Sequence, residues 1–191
     1  MSEKTTIHIE TPRMILREWK QSDRAPFARM NGDPVIMEYL PRSLTEKQSN
    51  DLVDRFNAHF KAHGYGLYAT ENKDSGDFMG FVGLRKVPFD APFTPAVEIA
   101  WRLDYEFWGQ GYCQEAACGV LDHAFGDLGL KEIVSFTVHD NTRSIGVMEK
   151  IGMSRDKKGD FDYPGMREDH PLGRFVLYRI GKDDPRSCPA G

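Results

Sequence analysis

Val97-Glu98-Ile99-Ala100-Trp101-Arg102-Leu103, followed four residues later by Trp108-Gly109-Gln110-Gly111-Tyr112-Cys113, decides how the rest of this chain is read. The first run is apolar and β-favouring, and the second is a turn holding two glycines. A helical pattern begins at once, with Cys113, Ala117, Val120, Leu121, Ala124, Phe125 and Leu128 on one face. Strand, glycine turn and helix N-terminus together make an anion site. Glycine lets a ligand approach the backbone, and the first helical N–H groups have no internal partner. The segment points to a ligand bearing phosphate.

Spacing separates the phosphate ligands. A dinucleotide fingerprint needs a third glycine or alanine three residues past the second, and Gln114 stands there. A P-loop needs Gly-Lys-Ser/Thr, which nothing here supplies. The third reading is a pyrophosphate loop of the coenzyme A type. The segment resembles motif A of the GNAT superfamily of N-acetyltransferases, Gln/Arg-x-x-Gly-x-Gly/Ala. Trp108 takes the Gln/Arg place, Gly111 the central glycine and Cys113 the last small residue, so two of the three keyed positions depart from the general pattern. Trp-Gly-x-Gly-Tyr followed by Glu-Ala looks like the variant of the RimJ/RimL-type branch. A second segment resembles the superfamily more closely. The run Ile133–Val138 reads as a strand, followed by Asn141-Thr142-Arg143-Ser144 and by Glu149-Lys150-Ile151-Gly152-Met153. Asn141 is a good helix N-cap and Gly152 a good residue just past a helix end. Arg174 to Ile180 is a terminal strand of the same kind, and the resemblance spans about residues 8 to 182.

The remaining elements follow from local signals. Residues 7–19 read as extended, interrupted at Thr11-Pro12. Ser22 is placed to cap a short helix through Phe27 and Met30, ended by Gly32. Ser43 with Glu46 matches a capping box for a helix carrying Leu52, Val53, Phe56 and Phe60 and stopping at Gly64. Strands follow at about 66–71 and 78–87, and the loop from Pro88 to Pro95 is a shaped connection. The resemblance implies an α+β GNAT fold, a mixed, mostly antiparallel sheet of about seven strands with helices on both faces. Residues 1–182 read as one acetyltransferase domain and 183–191 as a frayable tail.

Composition bounds the function. At 191 residues the chain is one domain with a sizeable core. A net charge of −4 argues against nucleic-acid binding, which draws on clustered Lys and Arg. No apolar run approaches membrane-spanning length, and Met1-Ser2-Glu3-Lys4 is no secretory signal. The three cysteines, at 113, 118 and 188, form no Cys-x-x-Cys pair, and an odd count suggests a reducing cytoplasm. Cys113 and Cys118 look structural. His59 and His63 stand four apart on one helix, but no third ligand accompanies them, so no metal is expected.

The resemblance implies acetyl transfer from acetyl-CoA to an amine, a protein N-terminus or a small molecule, in a ternary complex. Trp101, Arg102 and Leu103 lie alongside the pantetheine arm, while the amides of Gly109, Gln110, Gly111, Tyr112 and Cys113, next to Trp108, face the pyrophosphate. Glu98 is the candidate general base, within an apolar strand where desolvation raises a carboxylate pKa. Alternation puts Glu98, Ala100 and Arg102 on one face, and an outward-facing Glu98 or one paired with Arg102 is the structural alternative. Ser144 is the candidate acid, because Met148 occupies the place where many relatives carry a tyrosine and cannot donate a proton. Asn141 binds the pantetheine arm or caps its helix. His139, Tyr39, Tyr65, Phe93 and Tyr163 are candidates for the acceptor wall. Relatives of this type are commonly homodimers. The missing tyrosine keeps open a coenzyme-binding sensor or assembly protein without transferase activity.

Overall fold

The computed structural model describes residues 5–167 and 170–188. Its strands are β1 (Ile7–Glu10), β2 (Met14–Arg17), β3 (Leu67–Asn72), β4 (Phe78–Lys86), β5 (Val97–Leu103), β6 (Glu132–Val138), β7 (Ser154–Arg155), β8 (Phe161–Asp162) and β9 (Arg174–Gly181). The helices are α1 (Arg24–Gly32), α2 (Glu46–His63), α3 (Tyr112–Gly126) and α4 (Thr142–Lys150). The strands form a single sheet in the order β1-β2-β3-β4-β5-β6-β9-β7, with β8 also on β9. Every pairing is antiparallel except β5 with β6. The expected α+β architecture is present. The sheet exceeds the expected number because the extended stretch 7–19 forms two strands, β1 and β2, and because β7 and β8, two residues each, are too short to show a period-2 pattern.

Alternation along β4 and β5 assigns the two faces of the sheet. Phe81 and Arg102 are register partners and share one face. The rings of Phe27 in α1 and Phe56 in α2 pack on Phe81, so these helices cover that face. On the other face Tyr68, partner of Val82, meets the His123 ring of α3. Ala116, Ala117, Val120, Leu121 and Ala124 are fully buried beneath α3, as its apolar stripe predicts. A satellite cluster around Phe93, Phe136 and Phe161 is closed by Phe89, so the proline-bearing loop is held by its own aromatics.

Local signals misplaced two helix starts and the character of the tail. Helix α2 is capped by Thr45 and Gln48 in a reciprocal box, not by Ser43 and Glu46. Ser22 lies in a 3-10 turn. The neighbouring Asp23 carboxylate accepts from Arg17 (2.7 and 2.9 Å) and from the Lys20 amide, and so is not free to cap α1. Arg17 also bonds Glu71, tying β2 to β3 in a buried network. The described part of the tail is pinned rather than frayed. Cys188 forms a disulfide with Cys118 of α3, Arg186 pairs with Asp122 at 2.7 Å, and Pro185 packs on Gly152. Of the three cysteines only Cys113 is free. A pairing across 70 residues has no local sequence signature.

Candidate active site

The site opens where two strands part. Strand β5 has seven register partners in β4, whereas its ladder with β6 contains one pair, Glu98 with Val134. Strand β6 in turn has seven partners in β9. Each central strand follows its outer neighbour, so the β6-facing edge of β5 beyond Ile99 has no strand partner among the described residues. Ser135 Oγ donates to the Ile99 carbonyl (3.0 Å) and closes the near end of the gap. A cavity of 610 Å³ runs through it, with Trp101, Arg102 and Leu103 along one wall. The size suits a small cosubstrate.

The turn after β5 is held open at the mouth of this cavity. Trp108 Nε1 donates to the Leu103 carbonyl (2.8 Å), folding the indole back over the strand end. Gly109 and Gly111 have φ of 73° and 82°, in the left-handed region that side chains disfavour. No side chain caps α3, so its leading N–H groups are available to a ligand. Arg13 braces the turn from the β1–β2 connection: its Nη1 donates to the Gln110 carbonyl (3.0 Å) and its Nε to Glu115 (2.6 Å). Its guanidinium lies 4.1 Å from the Tyr112 ring centroid, and the Gln110 amide donates to the Glu106 carbonyl. Both of these side chains are thus engaged away from the cavity, and only main chain is offered there. Sequence reasoning passed over Arg13. Gly109, Gly111 and Cys113 line the cavity, as does Gln114, whose Nε2 reaches the Ser187 carbonyl of the tail (3.3 Å). Arg143 and Lys150 of α4 add positive charge nearby. Uncapped amides, two glycines of positive φ and cations across the opening fit a pyrophosphate.

Glu98 sits at the last β5–β6 pair and faces the cavity, with its side chain 4% exposed. Its partner is Arg85, its register neighbour on β4, whose Nε donates at 2.6 Å; Arg102 is not in contact with it. Burial pushes the Glu98 carboxyl up from the usual carboxylate range, and the Arg85 charge opposes that rise. Alternation had put Glu98 and Arg102 on one face, but only the antiparallel register reveals Arg85. The Arg102 side chain turns instead to α1, donating to Asn31 Oδ1 and lying over the Phe81 ring.

Helix α4 forms the opposite wall. Asn141 caps it, accepting from the Ser144 amide (3.2 Å), while its Nδ2 donates to Thr137 Oγ1 (2.9 Å) and Ser144 Oγ (3.1 Å). Because Ser144 Oγ accepts from Asn141, its own proton is free to point into the cavity it lines. Met148 also lines that wall and is 1% exposed. Of the acceptor-wall candidates, Tyr39 and Tyr163 line the cavity. Phe93 is buried in the satellite cluster, Tyr65 packs on His59, and His139 points outward to Asp140. His59 Nε2 accepts from the Lys86 amide (3.1 Å) and Nδ1 donates to the Tyr65 carbonyl (2.9 Å), so it is a neutral strap, not a ligand. Burial lowers its pKa accordingly. Burial also pushes the Cys113 thiol up, which keeps it protonated and non-nucleophilic.

Comparison with known proteins agrees with this geometry. Residues 13–154 match the family model described as an acetyltransferase (GNAT) domain. The chain is 32% identical to the Bacillus subtilis protein YkkB over 148 residues, 77% of this chain and 85% of the relative. It is 28% identical over 195 residues to an Aspergillus fumigatus FsC-acetyl coenzyme A-N(2)-transacetylase, covering 96% and 80% of the two chains. A ribosomal-protein-S5-alanine acetyltransferase from Vibrio fischeri superposes with a TM-score of 0.73 over 94% of this chain and 98% of that one. At 18% identity this last likeness speaks for the fold.

Proposed function

The chain belongs to the GNAT acetyltransferase family, and from that premise we propose that it moves an acetyl group from acetyl-CoA directly to an amine in a ternary complex. One observation carries the reading: a buried carboxylate, Glu98, stands where β5 and β6 part, in the same cavity as an uncapped helix N-terminus. The main chain of Gly109 to Cys113 takes the pyrophosphate, and the free edge of β5 at Trp101 to Leu103 takes the pantetheine arm. The Aspergillus relative, whose name specifies acetyl coenzyme A, supports that donor.

Glu98 removes the proton of the acceptor amine, directly or through one water. Burial raises its pKa and makes it a stronger base than an exposed carboxylate, while the Arg85 charge favours its ionised form. The unpaired main chain of β5 faces the thioester carbonyl as charge develops there. The new N–C bond replaces the C–S bond, and Ser144 Oγ is placed to return a proton to the leaving sulfur. Met148 leaves no tyrosine in that wall to do so. With both substrates held in line, no covalent enzyme intermediate is needed.

The acceptor is an amine on a small molecule or a protein N-terminus. The Trp-Gly-x-Gly-Tyr turn and the S5 acetyltransferase neighbour support a RimJ/RimL-like placement, with a homodimer as part of the same reading; the Cys118–Cys188 disulfide removes the cysteine argument for a reducing cytoplasm. The test is Glu98→Gln with acetyl-CoA and an amine panel. Turnover by thiol release is expected to fall at least a hundredfold, while the thermal shift with acetyl-CoA persists. Unchanged turnover removes Glu98 from its role, and absence of the shift in the unaltered protein refutes the donor. Tight acetyl-CoA binding without thiol release from any amine favours the sensor alternative.

A further inference from the structure

We propose that the acceptor carries a carboxylate as well as its amine, and that Arg102 binds the carboxylate while Glu98 faces the amine. This rests on the transferase reading above and names its substrate class.

The ionisable residues of the cavity wall are unbalanced. Among the described residues lining it, Arg85, Arg102, Arg143 and Lys150 face a single acid, Glu98. Arg85 is matched by Glu98. Arg143 pairs with Glu38 and stacks over Trp108 on the coenzyme side. No carboxylate among the described residues lies against Arg102. Its partner is the neutral amide oxygen of Asn31, and the Phe81 ring lies 5.5 Å from its guanidinium carbon.

That neutral partner is held in place. Asn31 is fully buried, and its Nδ2 donates to Ser49 Oγ of α2 at 2.8 Å, which turns Oδ1 towards Arg102. Helices α1 and α2 thus orient the guanidinium without cancelling its charge. A guanidinium has five N–H donors in a planar fork that fits a carboxylate, and Asn31 occupies only part of it. The cost of leaving this charge unmatched is visible: burial, with the nearby Arg85 charge, pushes the Arg102 pKa down to about 10. An anionic ligand reverses that effect.

The geometry also says which substrate end goes where. Glu98, Ala100 and Arg102 share the strand face beneath α1 and α2, opposite α3 and its open N-terminus. Four residue steps along the strand put the outer two about 13 Å apart at the backbone. Their side chains are held from neighbouring elements, Glu98 by Arg85 of β4 and Arg102 by Asn31 of α1, and the small Ala100 stands between them on the strand, which leaves room for a short bifunctional molecule. Phe56 and Phe81 line the cavity, as do Phe136, Tyr163 and Phe175, so an apolar side chain of the acceptor fits beside its charged groups. A polyamine would instead place cations against two guanidiniums. In the reaction the amine loses its proton to Glu98 and gains the acetyl carbon as the C–S bond breaks, while the carboxylate is unchanged.

The test compares glycyl-L-phenylalanine and L-phenylalanine with their C-terminal amides and with spermidine, by thiol release and by calorimetry on the CoA-loaded protein. A carboxylate–guanidinium pair is expected to favour acid over amide by at least tenfold in kcat/KM and in affinity. Arg102→Gln should bring that ratio close to one. Asn31→Asp, which is isosteric and supplies Arg102 with a carboxylate, should lower the ratio likewise and guards against a folding defect in the first variant. Preference for an amide or spermidine, or an acid/amide ratio that survives both variants, overturns the inference. So does absence of carboxylate binding to the CoA-loaded protein. Failure of acetyl-CoA itself to bind is a different result, and refutes the transferase reading instead.

Discussion

Arg85→Met should move the acid limb of the pH–rate profile upward by about 1.5 pH units. In the native site the Arg85 Nε lies 2.6 Å from the Glu98 carboxylate, whose side chain is 4% exposed, against 33% for Arg85. Unit charges centred about 4 Å apart attract by about 4 kcal/mol at the effective dielectric of a partly wet site. The exposure of Arg85 screens roughly half of this and leaves about 2 kcal/mol. At 1.36 kcal/mol per pH unit that is about 1.5 units. The direction is fixed: losing the cation disfavours the ionised carboxylate, so a pKa already raised by burial rises further. A base works only when ionised, so on the acid side of the limb the variant should be slower than the native protein and should recover at higher pH than the native protein does. The assay is kcat/KM by thiol release, run beside Glu98→Gln. The acceptor amine titrates identically in both proteins, so the difference between profiles isolates the carboxylate. A limb that stays in place or moves down refutes the reasoning, as does the same limb persisting in Glu98→Gln.

Other outcomes follow from the same structure. Gly111→Val puts a branched side chain where φ is 82° and where the proposed site has the backbone meeting a phosphate. The strain of about 1–2 kcal/mol should lower Tm by a few degrees and abolish the acetyl-CoA thermal shift; normal coenzyme binding by the folded variant would show that the loop is misplaced. Cys188→Ser, or reduction, opens a loop of 70 residues between Cys118 and Cys188. It should cost about 4 kcal/mol, a fall of about 10 °C in Tm for a domain of this size, measured by calorimetry with and without reductant. An unchanged Tm means that the disulfide contributes nothing to stability.

The order of most elements, the glycine turn after β5, the buried face of α3 and the cap of α4 are legible in the residues alone. Each rests on a local rule: period 2 in strands, 3.6 in helices, and a side chain bonding an amide two or three residues on. Glu98 was legible as a carboxylate in an apolar strand, and alternation placed Arg102 on its face. That Arg85, rather than Arg102, meets Glu98 emerges on folding, because it depends on the β4–β5 register. Only then does Asn31, 71 residues away, come against Arg102, and Cys188 against Cys118. The same holds for the gap at the centre of the sheet. It exists because β5 stays with β4 and β6 with β9, and a competition between two sets of long-range hydrogen bonds leaves no mark in either strand's own residues.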